Sequence, residues 1–302
     1  MSSQVDRGPD WWANKASMIL RQSLGEDRFP IDVERLALEW TPVIDRDAPV
    51  TRVSERPLDG CDGALVDGRR RGNGWGIAYS DAIRHPGRRR FTVAHELGHF
   101  LVHRHLAPDG GFRCHPEDMA TWDHERSPQE AEANRFAARL LMPLDDFRQQ
   151  VPPRARVSLT ELGRLAEERY GVSLTACVLQ WLGLTERRAV LVASRDGYVL
   201  WGKSSTPALR SGAFFRTRGR APVEVPTASP VATGTSDAPP EGVSHPAGVW
   251  FSGEPVVEEM IVSDRYDLGL SLLHLEDRIR NFEQGEEEDL DTLDLMERRL
   301  NR

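Results

Sequence analysis

Five consecutive residues, His95-Glu96-Leu97-Gly98-His99, carry the side chains best suited to chemistry in this chain. Residues four apart share one face of a helix, so His95 and His99 can present two imidazoles to one metal ion. Glu96 is then placed beside the water that such a metal activates. Two nitrogen ligands, a third protein ligand, a position for water and an adjacent base are the parts of a zinc hydrolysis site. The motif therefore predicts Zn2+ bound by His95 and His99, with Glu96 as the catalytic base.

The segment around this motif predicts a helix that positions it. Its apolar residues recur at helical spacing: Phe91, Ala94, Leu97, Leu101 and Val102. This pattern is typical of an amphipathic helix that buries one face. Glycine in a helix interior costs about 1 kcal/mol relative to alanine, so we expect another element, or the substrate, to approach closely at Gly98. His103 extends the row of histidines by one turn; it is either a hydrogen-bonding partner of the site or a structural residue.

A second predicted helix supplies the third ligand that a hydrolytic zinc site needs. Ser127 is a good N-cap, Pro128 suits the first turn, and Pro143 marks the end of the helix. The apolar stripe of this helix consists of Ala133, Phe136, Ala137, Leu140 and Leu141.

The phase of this helix separates two candidate glutamates. At about 100° per residue, Glu130 falls roughly 60° from the centre of the apolar stripe, whereas Glu132 falls roughly 100° from it, towards solvent. Glu130 is therefore the predicted metal ligand, and Glu132 is the alternative. Asn134, one turn after Glu130, is placed to orient a ligating imidazole.

Two segments of the sequence together resemble one family. RFTVAHELGHFLVH followed by EAEANRFAARLLMP is similar to the ImmA/IrrE family of metallopeptidases, which combine HExxH with a glutamate helix ending in LLMP. The resemblance spans roughly residues 25–185, with PIDVERLALEW resembling the family's N-terminal helix. It implies a gluzincin-like fold with zinc held by His95, His99 and Glu130. It also implies that Glu96 is the base and that the protein substrate is a helix-turn-helix repressor, whose cleavage relieves repression of stress-response or mobile-element genes.

Composition sets limits on the class of protein. The 302 residues, 39% hydrophobic and 28% charged, are typical of a globular protein, without an apolar run near 18 residues or a secretory signal. Three widely spaced cysteines predict a cytoplasmic location. The net charge of −8 argues against binding nucleic acid through its phosphates, so direct DNA binding is not expected. We expect Cys114 and His115 to be a surface thiol and a loop histidine, with an inhibitory contact to zinc as the alternative.

We expect an α+β fold in three parts. Residues 1–185 form a minimal zincin-like metallopeptidase domain, mostly helical with a small sheet, which ends in a helix-turn-helix-like pair at residues 158–185. Residues 186–276 form a β-rich C-terminal module with a flexible loop at residues 221–248. Residues 277–302 form an acidic tail.

Within the first part, helices are predicted at residues 10–24 and 32–40. Strands are predicted at residues 64–66 and 76–80, with Gly72-Asn73-Gly74 as the turn between them. We expect residues 75–80 to be an edge strand that pairs with an extended substrate, an ordinary sheet strand being the alternative. Residues 106–126 are expected to form a loop that acts as a lid or binding element.

In the remaining chain, AVLVAS and YVLWGK predict a hairpin around Arg195-Asp196-Gly197, and further strands are predicted near residues 249–251, 256–262 and 268–275. The second helix of the helix-turn-helix-like pair, SLTACVLQWLGL, contains no arginine or lysine, and Gln180 is its one amide able to read a base edge. The pair is therefore interpreted as a packing unit of the peptidase domain.

These patterns lead to two hypotheses about function. The first is a zinc endopeptidase that hydrolyses a repressor, with His103, His124 and Tyr79 as candidate donors to the oxyanion. The second is a non-catalytic, zinc-containing regulator that binds a repressor or DNA.

Overall fold

The structure, a computed structural model, describes residues 7–115, 127–217, 219, 221–233, 239, 241–263 and 268–277. These residues form eight α-helices and two β-sheets, so the α+β class is confirmed. The helices are α1 (Pro9–Leu24), α2 (Val33–Ile44), α3 (Pro86–Gly98), α4 (Pro128–Leu141), α5 (Leu144–Gln150), α6 (Leu159–Arg164), α7 (Leu174–Leu182) and α8 (Thr206–Arg210). The strands are β1 (Val50–Arg56), β2 (Gly63–Asp67), β3 (Trp75–Ser80), β4 (Gly111–Cys114), β5 (Ala189–Arg195), β6 (Tyr198–Ser204), β7 (Val243–His245), β8 (Val256–Ser263) and β9 (Leu268–Leu275).

Two of the predicted segments lie partly outside the described residues. The acidic tail lies outside them except for Asp277 itself, and residues 116–126 of the predicted loop, including His124, are also outside. Among the residues that the structure does describe, no helix combines the length and apolar character that crossing a membrane requires.

The first sheet has the strand order β1-β3-β2-β4. β3 pairs with β1 in parallel and with β2 in the antiparallel sense, so it lies inside the sheet. The prediction that residues 75–80 form an edge strand is therefore wrong. The edge that the prediction assigned to β3 is covered by β1, which pairs with β3 in parallel although β2 lies between them in the sequence.

β4 is an edge strand of this sheet, and it lies within the segment that was predicted to be a loop. It pairs with β2 in the antiparallel sense, with Gly63 opposite Cys114 and Leu65 opposite Phe112. The strand begins at Gly111, whose φ of 102° suits glycine alone. A Cβ atom there would lie 1.8 Å from the carbonyl oxygen of Leu65. The close pairing of β4 with β2 therefore depends on this glycine.

Helices α3 and α4 cross in close contact at Gly98. A Cβ atom on Gly98 would lie 3.0 Å from Cδ1 of Phe136 and 3.2 Å from Cα of Ala133. The close approach that was expected at this glycine is thus confirmed, and the approaching element is α4. α3 begins at Pro86, where the His85 side chain caps the helix by accepting from the backbone N–H of Gly87 at 3.1 Å. Beyond Gly98 the helix continues as one wider turn from His99 to His103.

Replacing Gly98 with alanine is expected to lower the free energy of unfolding by about 1–3 kcal/mol, because the backbone of α4 cannot yield as a flexible side chain could. Urea unfolding followed by circular dichroism measures the change. Gly163→Ala is the matched control, since a Cβ atom there would lie 3.8 Å from Cδ1 of Leu174, an ordinary contact. The control is expected to keep or raise the stability. Equal losses in the two variants would contradict the crossing at Gly98.

The second sheet has the order β6-β5-β9-β8-β7, with antiparallel pairing between all neighbours. One face of it joins the main hydrophobic core through Ala189, Leu191, Ala193, Leu270 and Leu272. The alternate residues Val190, Val192, Leu273 and Leu275 face a second, smaller core. The sheet is therefore packed on the helices that precede it, while its division into a separate module from residue 186 stays a prediction.

Two strand assignments in this part of the chain differ from the predictions. β7 lies within residues 221–248, which were predicted to be a flexible loop, and residues 249–251 form no strand beyond a bridge between Phe251 and Glu254. β7 pairs with β8 and so covers its edge. That pairing is a long-range contact, which the loop-like composition of the segment does not reveal.

The helix-turn-helix-like pair packs into the main core. α6 continues as a wider turn to Tyr170, Gly171 adopts a left-handed conformation with φ of 59°, and α7 follows. Gln180 is buried and donates from Nε2 to the carbonyl oxygen of Met142 at 2.9 Å. Because the one amide of α7 is engaged inside the protein, this placement favours the packing interpretation over base reading.

Candidate metal centre

The two histidines of the HELGH motif meet at one point on the buried face of the helix that α3 and the wider turn after it form together. His95 and His99 are fully buried, and their Nε2 atoms lie 3.0 Å apart. The helix places them one turn apart on one face, as the motif predicts.

The Glu130 carboxylate reaches this point from α4. Its Oε2 lies 3.0 Å from Nε2 of His95, and its Oε1 lies 3.4 Å from Nε2 of His99. Two ligands bound at about 2.0–2.1 Å to one tetrahedral metal ion lie about 3.3–3.4 Å apart. The three side chains therefore converge at the spacing of ligands around a single ion. Glu132 does not join them, because its Oε2 contacts Nε2 of His103 at 2.9 Å.

Hydrogen bonds to the outer nitrogens fix the orientation of both rings. Nδ1 of His95 lies 2.9 Å from Oδ1 of Asn134, which can only accept, so His95 donates through Nδ1 and keeps Nε2 as a lone-pair donor. Nδ1 of His99 lies 3.2 Å from Nδ1 of His103. With His103 donating from Nε2 to Glu132, its Nδ1 accepts from His99, which leaves Nε2 of His99 facing the cluster.

The charges of the cluster suit a cation. Burial lowers the pKa of His99 to about 4, and burial also lowers the pKa of His103, so both rings are neutral near pH 7. Burial opposes ionisation of Glu130, but its contacts with His95 and His99 outweigh burial and hold the pKa of this carboxyl well below its usual value. For His95, burial lowers the pKa, yet Glu130 and Glu96 raise it more. Since imidazole binds metals in its neutral form, the His95 proton is the one that a cation displaces.

Glu96 is buried beside the cluster without an ordinary hydrogen bond from a protein group to either carboxylate oxygen. Burial raises its pKa to about 7, and the polar groups near it are the Cys114 thiol and the backbone of Leu65. A Cβ atom on Gly63 would lie 2.4 Å from Oε1 of Glu96. Strand β2 therefore leaves room for this carboxylate only because residue 63 is glycine. A buried carboxylate without such a partner is what a water molecule or a metal ion would satisfy.

Cys114 is a member of the cluster, a location that the sequence analysis kept only as the alternative to a surface thiol. It was expected to be a surface thiol, but it is fully buried on β4. One ligand atom from each of His95, His99, Glu130 and Cys114 lies within 4.8 Å of the others. His115, by contrast, is exposed, and its Nδ1 donates to the carbonyl oxygen of Gly60 at 2.8 Å. The alternation in Gly111–Cys114, with apolar Phe112 two residues before the cysteine, was the pattern that could have predicted a strand facing the site.

The candidate oxyanion donors lie in different places. His103 is buried next to His99 and is engaged with Glu132. Tyr79 is buried with the Arg89 guanidinium 5.0 Å from its ring centre and with Glu34 near its hydroxyl. His124 lies outside the described residues. The described contacts therefore place one of the three candidates, His103, directly against a member of the cluster.

The geometry fits the chemistry of a zinc ligand set. Imidazole nitrogen, carboxylate oxygen and thiolate sulfur are the donors that zinc accepts in proteins. Contacts such as those of Asn134 with His95, and of the His103–Glu132 pair with His99, orient histidines that bind a metal. The residues present therefore fit a zinc ion, and Glu96 supplies a carboxylate beside it.

Comparisons with known proteins agree with this interpretation. A family model described as the IrrE N-terminal-like domain, Peptidase M78, matches residues 47–180. A search of curated proteins gave no match. Among solved structures, a Mycobacterium tuberculosis transcriptional regulator is similar, with a TM-score of 0.51 and 14% sequence identity, over 88% of this chain and 75% of that chain. That similarity shows a shared fold, and it extends beyond the matched domain. The segment from residue 47 to residue 180, which contains the HELGH motif and Glu130, thus matches the IrrE N-terminal-like domain of the peptidase family.

Proposed function

We propose that this chain is a zinc-dependent endopeptidase whose substrate is a helix-turn-helix transcriptional repressor. The observation that carries the proposal is the convergence of His95, His99 and Glu130 at 3.0–3.4 Å beside the buried carboxylate of Glu96. The peptidase family of residues 47–180 supports the reaction class. The similar fold of a protein titled a transcriptional regulator supports a link to transcription.

Different residues of the site would bind the metal ion, orient its ligands and transfer the proton during peptide hydrolysis. His95, His99 and Glu130 would hold the ion, and Asn134 and His103 keep the two imidazoles in the tautomers that bind it. When bound, zinc supplies a Lewis acid for the scissile carbonyl and makes water acidic enough to attack near neutral pH. The Glu96 carboxylate accepts a proton from the attacking water and returns it to the departing amine. The buried setting of Glu96 suits this task, because burial raises its pKa to about 7, where the carboxyl group can both accept and return a proton near neutral pH.

The substrate would approach along the edge of the first sheet. In the described residues β4 pairs on one side only, with β2, and its other edge offers backbone groups beside the site. Addition of an extended peptide to such an edge is a common way of holding a substrate in register. This edge takes the role that was predicted for residues 75–80.

A cleavage assay tests the proposal. The purified chain, loaded with one equivalent of zinc, is incubated with candidate helix-turn-helix proteins from the same organism, and the products are identified by mass spectrometry. We expect cleavage at a single region of the substrate, loss of cleavage after treatment with a chelator, and recovery on adding zinc back. Stable complex formation without any cleavage, by the zinc-loaded protein and by its Cys114→Ser variant alike, would contradict the proposal and favour a non-catalytic regulator.

The non-catalytic regulator is a second candidate, and one observation favours it. With Cys114, four side chains could ligate the ion, and four is the number of protein ligands in structural zinc sites. A form of this regulator that binds DNA is disfavoured by the net charge of −8 and by the burial of Gln180.

A further inference from the structure

The Cys114 thiol faces the metal cluster because of its position on β4. Cys114 is the cross-strand partner of Gly63, and cross-strand partners project from the same face of a sheet. The face of Gly63 is the one under Glu96. Two residues before Cys114 and on the same face, Phe112 stacks on the His99 ring with centroids 4.5 Å apart and planes 20° apart. Strand β4 thus lays Phe112 and Cys114 side by side against α3.

Of the three cysteines, all in the described part of the chain, Cys114 is the one in the metal cluster. Cys177 lies on α7 in the main hydrophobic core, and burial raises its pKa to about 12. Cys61 has its Sγ 3.8 Å from Nδ1 of His115, away from the two ligating histidines. The placement of a thiol beside His95, His99 and Glu130 is therefore specific to residue 114.

A fourth protein ligand changes what the site can do. A hydrolytic zinc site keeps one position open for water, whereas four protein ligands close a tetrahedral site. Thiolate is a soft donor that binds zinc well, and its coordination releases the S–H proton to solvent. A sulfur in the fourth position excludes the water that Glu96 would activate.

We propose that Cys114 is the fourth ligand of the metal ion and holds the peptidase in a latent form, from which it is released when β4 withdraws its thiol from the cluster. This inference rests on the proposed function. At rest the ion would have four protein ligands: His95, His99, Glu130 and Cys114. During hydrolysis it would keep the two histidines and the glutamate, because Cys114 leaves. β4 is suited to such a movement, because it is a four-residue edge strand held by one neighbour.

Cobalt spectroscopy tests the ligand set without a need for substrate. The full chain is titrated with Co2+, and the visible d–d bands report occupancy of the site while the near-ultraviolet sulfur-to-cobalt band reports the thiolate. We expect both in the wild-type protein, loss of the sulfur band alone in Cys114→Ser, and no change in the matched control Cys177→Ser. Cys114→Ala is measured in parallel, with circular dichroism confirming the fold of each variant.

Latency is tested with acetohydroxamate, a small bidentate chelator that needs an open position on the metal. In the proposed latent protein, the form in which Cys114 has left the metal is the minor form. The apparent affinity of the wild-type protein for acetohydroxamate is then reduced in proportion to the fraction of this open form. Cys114→Ser should therefore bind acetohydroxamate at least about tenfold more tightly than the wild-type protein. Equal affinities, or a wild-type cobalt spectrum with d–d bands but no sulfur band, would overturn the inference and leave the proposed function standing. Failure of every variant to bind cobalt would overturn both.

Discussion

Glu96→Gln is expected to keep the metal ion and to lose cleavage of the repressor by about 10²–10⁴-fold, the usual contribution of a general base. Glutamine has the size and shape of glutamate, so it fits the space above Gly63. That space is small, because even a Cβ atom on residue 63 would collide with the side chain of residue 96. Its amide cannot accept the proton of the attacking water. Because Glu96 is not among the four side chains whose ligand atoms cluster, the substitution leaves the ligand set intact.

The two readouts of this variant are measured on the same preparation. Metal content is determined by elemental analysis, and the rate of cleavage is measured by mass spectrometry with zinc in slight excess. Glu168→Gln, which changes an exposed glutamate in the turn after α6, is the control and should match the wild-type protein in both. Wild-type cleavage by Glu96→Gln would rule out Glu96 as the base. Relief of repression in cells by this variant would instead favour the non-catalytic regulator.

The parts of the site that follow from local periodicity were predictable from the sequence. A helix fixes the angle between its residues, so the spacing of His95 and His99 and the phase of Glu130 against its apolar stripe predict which side chains share a face. The structure brings these three together and places Glu132 against His103 instead. The roles of these residues as ligands and base stay predictions until a metal-bound form is measured.

The parts that depend on pairing between distant segments were not predictable in this way. Cys114 faces the cluster because β4 pairs with β2. Strand β3 lies inside the sheet because β1 pairs with it in parallel. Alternation in a strand of four to seven residues can indicate the strand and its buried face, but it does not show which other strand it pairs with. In the sequence itself, these contacts are reflected only in Gly111 and Gly63, because each allows a close approach that a side chain would block. A single sequence shows a glycine without showing what approaches it.

Glu130→Ala is expected to weaken zinc binding by more than about 100-fold, because it removes a ligand, whereas substitution of a residue that only orients a ligand costs about 10–100-fold. Glu132→Ala is the matched variant two positions along the same helix. It removes the carboxylate that accepts the hydrogen bond from Nε2 of His103. His99 then stays in place, but His103, which accepts the hydrogen bond from its Nδ1, is no longer held by Glu132. We expect this variant at the lower end of that range, about tenfold, since Glu132 is partly exposed and water can replace it.

Competition with a chromophoric zinc chelator measures both affinities, and urea unfolding of each variant confirms that the fold is retained. The ratio of the two losses is the informative quantity, because both substitutions remove one carboxylate from α4 and change the net charge equally. A general electrostatic effect would make the two losses similar. A larger loss in Glu132→Ala would reverse the assignment that helix phase and the 3.0 Å contact between Glu130 and His95 support. A larger loss in Glu130→Ala shows that the ion is held on the buried side of α4, where the two imidazoles of α3 point.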